Sequence, residues 1–283
     1  MRILITGANG QLGKDLDIQL KDQHEVYALG RRELDVTFED QCKSRILEIQ
    51  PDVIVHCAAY TAVDLAETDE DTAYKVNVFG TRNLAVAAEE VGAKFCYLST
   101  DYVFDGTAST PYKEYDHTNP QSVYGKTKRA GEHVTQTLSS KYFIVRTSWV
   151  YGREGSNFVK TMLKLAKEQG TLKVVADQIG SPTYTVDLAR FLSELIVTDR
   201  YGIYHASNKG ICSWYEFACA IFEESGISVK VEPCSTEEFL RPAPRPKYSV
   251  MDHLSIRANG FQDLPHWREA LRDFLRELSE ENK

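Results

Sequence analysis

Short β-branched runs alternate with amphipathic stretches through the first half of the chain. Residues 2–7 (RILITG) have the pattern of a strand, and a helix follows from about Gly10 to Lys21. EVYALG (25–30) is the next strand, and a helix over about 39–49 leads through Pro51 to the strand DVIVHCAA (52–59). Residues 69–91 carry helical periodicity, with Ala73, Val76, Leu84, Val86 and Ala87 on the apolar side. KFCYLST (94–100) is a further strand, a charged helix starts near Tyr124, and YFIVRTSWVYG (142–152) forms another strand. Strand and helix repeated in this way imply right-handed crossovers and a parallel sheet covered on both faces, the doubly wound α/β class.

The rhythm changes after about residue 153. A helix (156–169) precedes the strand LKVVAD (172–177), a Gly-Ser-Pro turn (180–182) and a helix from Thr185 to about Val197. A short strand (202–207), a helix (213–226), a strand (229–233) and a last helix from about Trp267 to Glu280 complete the pattern. RPAPRPKYS (241–249) has three prolines in six residues, so it is expected as an ordered loop or lid. With no low-complexity linker or repeat, the C-terminal part reads as a smaller α/β lobe packed on the sheet. The expected division is 1–152 and 153–283, with some later segments returning to the first part.

Composition narrows the function classes. The chain has 283 residues, 42% of them hydrophobic, and a formal net charge of −8. That balance argues against nucleic acid or a membrane surface as the main partner. Three apolar residues, Ile3 to Ile5, precede Gly7, so no secretion signal is expected, and no run of about 18 apolar residues suggests a membrane span. The six cysteines include no CxxC pair and read as reduced thiols, which points to a cytoplasmic protein. The acidic run Asp64, Glu67, Asp69, Glu70 and Asp71 lacks calcium-loop spacing, and the histidines show no HxH or HxxxH pairing, so no metal is expected.

The segment ILITGANGQLGKDL places Gly7, Gly10 and Gly13 after the first strand and across the start of the first helix. A tight turn, a close approach of pyrophosphate and a close strand–helix crossing each call for a residue without Cβ. The helix N-terminus offers free N–H groups to phosphates, so Gly7, Gly10, Gln11, Leu12 and Gly13 are candidate cofactor-binding residues. This makes the sheet Rossmann-type, although the spacing is G-x-x-G-x-x-G. The second strand ends Leu29-Gly30-Arg31-Arg32, with no acid to accept from a ribose 2′-OH. A guanidinium suits a 2′-phosphate, which favours NADPH through Arg31, with Arg32 second and NADH left open. Asp35 and Val36 follow where an adenine contact is expected.

In VYGKTKRAGE, Tyr124 and Lys128 stand four residues apart on a helix, and spacing alone makes them an ordinary surface pair. The wider context changes that. GANGQLG, HCAAYTAVD (56–64), YLSTDYVFDG (97–106) and VYGKTK (123–128) occur in order and resemble the extended short-chain dehydrogenase/reductase superfamily. More narrowly, those blocks with RTSWVYG (146–152) and DQIGSPTYTVDLA (177–189) resemble the dTDP-4-dehydrorhamnose reductase family over nearly the whole chain, weakening in the last 40 or so residues.

The resemblance implies hydride transfer from a nicotinamide to the C4 ketone of a deoxysugar nucleotide, in dTDP-rhamnose and surface polysaccharide biosynthesis. It implies Thr100, Tyr124 and Lys128 as catalytic residues, with the phenol as acid and the ammonium stabilising its phenolate. Tyr124 and Lys128 would also meet the cofactor, and Ala59, Tyr60 and Thr61 would line it. Asp101 and Trp149 are implied at the substrate with Thr100, while Arg241 and Arg245 are weaker candidates for a nucleotide phosphate. The expected working unit is a monomer or homodimer. Two other readings stay open: a nucleotide-sugar epimerase or dehydratase, and a non-catalytic regulatory subunit like that of methionine adenosyltransferase.

Overall fold

A computed structural model describes residues 1–281. In chain order the strands are β1 (Arg2–Thr6), β2 (Glu25–Leu29), β3 (Val53–His56), β4 (Lys94–Thr100), β5 (Tyr142–Thr147), β6 (Val150–Tyr151), β7 (Thr171–Val175), β8 (Ile179–Gly180), β9 (Thr183–Tyr184), β10 (Gly202–His205), β11 (Cys212–Ser213) and β12 (Lys230–Cys234). The α-helices are α1 (Gln11–Leu20), α2 (Glu39–Ile49), α3 (Val63–Ala66), α4 (Glu70–Tyr74), α5 (Thr81–Glu90), α6 (Val123–Leu138), α7 (Phe158–Glu168), α8 (Thr185–Leu195), α9 (Trp214–Ser225), α10 (Leu254–Ala258) and α11 (Trp267–Glu281).

Six strands form one sheet in the spatial order β10-β5-β4-β3-β1-β2, every neighbouring pair parallel. All four residues of β3 are buried, as expected of a strand with helices over both faces. On one face Leu16 and Leu20 of α1 pack with Leu188 and Leu192 of α8; on the other, Ile46 of α2 packs with Leu84 and Ala88 of α5. The strand order reverses between β1 and β3, and in open α/β sheets ligands bind beyond the carboxyl ends at such a point. Gly7, in the left-handed region at φ +64°, follows β1 there, and a Cβ on it would lie 2.7 Å from the Ala58 backbone after β3.

A second apolar core lies among α7, α9, α11 and the short strands, with Tyr151, Phe217, Ile221, Leu271 and Phe274 at its centre. There β12 pairs with β7 in parallel, β6 with β9 in parallel and β11 with β8 antiparallel. Residues after 153 divide between the two cores: α8 packs under the main sheet, and β10 forms its edge beside β5.

Three local departures from the hydropathy reading have physical causes. The expected strand 142–152 breaks at Trp149, whose φ of +49° no strand residue adopts, so β5 and β6 belong to different sheets. The helical run 69–91 contains a π-helical turn at Lys75–Gly80, where a widened helix turns a buried Asn77 toward the loop after β3. The short α10 escapes the periodicity because five residues are less than two turns. The proline-rich stretch 241–249 has no helix or strand, as expected.

Candidate active site

The carboxyl ends of β1, β3, β4 and β5 open into a cleft of about 880 Å³. Its floor at the first strand is the glycine turn. Gly10 caps α1 without a side-chain hydrogen bond, so first-turn N–H groups are left for an external acceptor. A Cβ at Gly13 would lie 2.6 Å from the Ala8 Cα, so the helix can cross the turn this closely only with glycine. Gly7, Gly10, Gln11, Leu12 and Gly13 all line the cleft, a cradle that fits a pyrophosphate. Arg31, Asp35 and Val36 line its far end. The Arg31 side chain is 84% exposed with its Nε 3.4 Å from Asp35, so its guanidinium is free to turn toward a ligand. Arg32 is also exposed.

Ala59, Tyr60 and Thr61 line the cleft beyond β3. Asn77, which sequence reasoning missed, clasps the Tyr60 backbone at both ends. Its Oδ1 accepts from Tyr60 N at 2.8 Å, and its Nδ2 donates to Tyr60 O at 3.2 Å and to Thr127 Oγ1 of α6 at 2.9 Å. A lone asparagine in an otherwise apolar helical face was the available signal.

The α6 helix starts here because Ser122 caps it, accepting from Gly125 N at 3.1 Å, while Glu67 accepts from Val123 N at 2.9 Å. Part of the acidic run therefore fixes the start of the helix that carries Tyr124. Tyr124 and Lys128 both line the cleft, as do Thr100 and Asp101 at the end of β4. Thr100 Oγ1 donates to Asp101 Oδ1 at 3.0 Å and accepts from Tyr102 N at 3.2 Å. Burial pushes the Tyr124 phenol up to about 12, opposed by a hydrogen bond with the Thr100 side chain. Burial pushes the Lys128 ammonium down to about 7, opposed chiefly by the negative charge of Glu132. Asp101 is pushed up to about 6 by burial, against hydrogen bonds from Ser249 and Thr100.

Glu132, also unanticipated, is fully buried one turn beyond Lys128. Its carboxylate accepts from Ser99 Oγ at 2.6 Å and from Arg146 Nε and Nη2 at 2.7 and 2.8 Å. An acid on the Tyr124–Lys128 face, eight residues after Tyr124, was its sequence signal.

Trp149 reaches the opposite wall, its indole stacked on Trp214 with ring centroids 3.6 Å apart. Gly180 lies beneath it, where a Cβ would meet the indole at 2.6 Å. The two loop arginines stand elsewhere. Arg245 forms a bidentate pair with Asp64, its Nη2 at 2.9 Å from Oδ2, and Arg241 lies over the Phe239 ring at 4.8 Å.

A dissociable phenol beside a hydroxyl and a buried ammonium, at the mouth of a glycine cradle, can deliver a proton to an oxygen held next to a dinucleotide. Known proteins resemble this chain over nearly its whole length. The spore coat polysaccharide biosynthesis protein SpsK of Bacillus subtilis (strain 168) is 47% identical, over 98% of this chain and 98% of that protein. The dTDP-4-dehydrorhamnose reductase of Aggregatibacter actinomycetemcomitans is 46% identical, over 96% of this chain and 97% of its own. Among solved structures, a dTDP-4-dehydrorhamnose reductase from Bacillus anthracis str. Ames in complex with NADP superposes with a TM-score of 0.96 at 51% identity, covering 98% of this chain and 99% of that one. A UDP-glucose 4-epimerase from Thermus thermophilus, at 22% identity and a TM-score of 0.83, shares the fold. The family model described as RmlD substrate binding domain matches residues 1–280, and the chain belongs to that family.

Proposed function

We propose that the protein reduces dTDP-4-dehydro-β-L-rhamnose to dTDP-β-L-rhamnose with NADPH, supplying rhamnose for surface polysaccharide. The observation that carries this reading is the convergence of Thr100, Tyr124 and Lys128 on one cleft with the glycine cradle. Bound NADPH would supply the hydride to the C4 carbon. Gly7, Gly10, Gln11, Leu12 and Gly13 would hold the pyrophosphate, Arg31 the 2′-phosphate, Asp35 and Val36 the adenosine side, and Ala59 to Thr61 the nicotinamide side.

Tyr124 gives its phenolic proton to the C4 oxygen as negative charge develops there. Thr100 hydrogen-bonds the same oxygen and orients it, and Lys128 stabilises the phenolate left behind. Asp101 and Trp149 hold the sugar. Six free cysteines suit a reducing compartment, which supports a cytoplasmic site of action. The proposed working unit is a monomer or homodimer. Among the described residues no helix is long and apolar enough to cross a membrane.

The test follows NADPH oxidation with the 4-keto-rhamnosyl nucleotide. Tyr124→Phe is expected to lose about 10²-fold or more in turnover while still binding cofactor. Near-normal rates in that variant would show that the acid is misassigned.

A further inference from the structure

Lys128 is 3% exposed, yet among the described residues no carboxylate pairs closely with it: Glu132 is engaged by Arg146 and Ser99. The groups that face the ammonium come from three elements. His56 and Cys57 lie at the end of β3, Tyr97 projects from β4, and Tyr124 and Glu132 share α6. His56 is pushed down to about 3 by burial and then by the Lys128 charge, so it is neutral. Burial pushes the Cys57 thiol up to about 12, so it too carries no charge.

The close group is an aromatic face. Lys128 Nζ sits 4.1 Å from the centroid of the Tyr97 ring. That ring is fully buried and fixed from several sides. Its hydroxyl donates to the Lys128 carbonyl at 3.3 Å, and His56 packs against it at a centroid distance of 5.8 Å. The hydroxyl also lies where a Cβ of residue 131 would fall, so Gly131 leaves the room the ring needs.

We infer that Tyr97 is a positioning residue for Lys128, its negative ring face being the surface that keeps the buried ammonium charged and one helical turn from Tyr124. Residue 97 lies inside the strand, fully buried, and does not line the cleft. It acts through the lysine, whose positive charge is what stabilises the phenolate. The inference rests on Lys128 being the cation that serves Tyr124, but the experiment below reads the ammonium itself and can fail while that role stands.

Protein labelled with ¹³C at the lysine ε-carbon is titrated by NMR without ligand, the Lys128 signal being assigned by its loss in Lys128→Met. Tyr97→Phe keeps the ring and should leave the titration midpoint close to that of the native protein. Replacing that phenylalanine by increasingly fluorinated phenylalanines keeps the shape while draining the ring's negative face. The charged form is then less stabilised, so the midpoint falls with each fluorine, by roughly one pH unit over the series. The alkaline limb of the turnover–pH profile should fall in parallel. A midpoint independent of fluorine content would overturn the inference.

Discussion

Removing the charge of Glu132 should destabilise the protein more than any surface change. In Glu132→Gln the side chain keeps its shape, but Arg146, 2% exposed, loses its bidentate anionic partner at 2.7 and 2.8 Å. Arg146 Nη1 keeps the Glu114 carbonyl at 2.9 Å, and its guanidinium keeps the Phe104 ring at 5.2 Å, so part of its environment survives. Among the described residues no second acid replaces the charge, and the neighbouring His205 is held neutral by burial and by Arg146 itself. Breaking a buried pair on one side costs about 3–5 kcal/mol. The retained amide oxygen and carbonyl place this case at the lower end, about 3 kcal/mol. At roughly 2–4 °C per kcal/mol for a chain of this size class, the melting temperature should fall by about 6–12 °C. Thermal melts followed by circular dichroism at neutral pH measure it. A fall of under about 2 °C would mean that the buried carboxylate contributes little and that its pairing with Arg146 of β5 does not hold α6 in place.

Trp214→Ala removes the ring stacked on Trp149, a contact of about 1 kcal/mol, so KM for the sugar nucleotide should rise several-fold with kcat less affected. An unchanged KM would separate Trp149 from the sugar. His56, hydrogen-bonded through Nδ1 to Thr6 at 2.8 Å and through Nε2 to Thr81 at 3.2 Å, is held near 3 against about 6.5 when unfolded. A histidine depressed on folding contributes stability above pH 6.5 and loses it as pH falls toward 3. By pH 5 the loss is about 2 kcal/mol. The melting-temperature gap between the native protein and His56→Gln should therefore narrow from pH 7 to pH 5, and a constant gap would refute the neutral burial.

Strand and helix identity in the first half was readable because parallel strands covered on both faces are continuous apolar runs, as in VIVH of β3. The glycine turn was readable because only a missing Cβ permits its approach to Ala58. What escaped was tertiary. Nothing in the local pattern says that GIYH pairs with β5, or that Trp149 adopts a left-handed backbone that ends a strand. Asn77, Tyr97 and Glu132 have ordinary helix or strand spacing, and their importance comes from what faces them across the core.

The edge position of β10 bears on how the chain is made. The sheet takes its sixth strand from residues 202–205, and its α1 face is covered by Leu188, Leu192, Ile256 and Leu264. The ribosome therefore delivers the whole nucleotide-binding half well before the pieces that close it. At about 5–20 residues per second, the 58 residues from Thr147 to His205 leave the outer edge of β5 unpaired for roughly 3–12 s. During that interval the hydrogen-bonding groups on that edge are open to another strand, and β10 is what closes them.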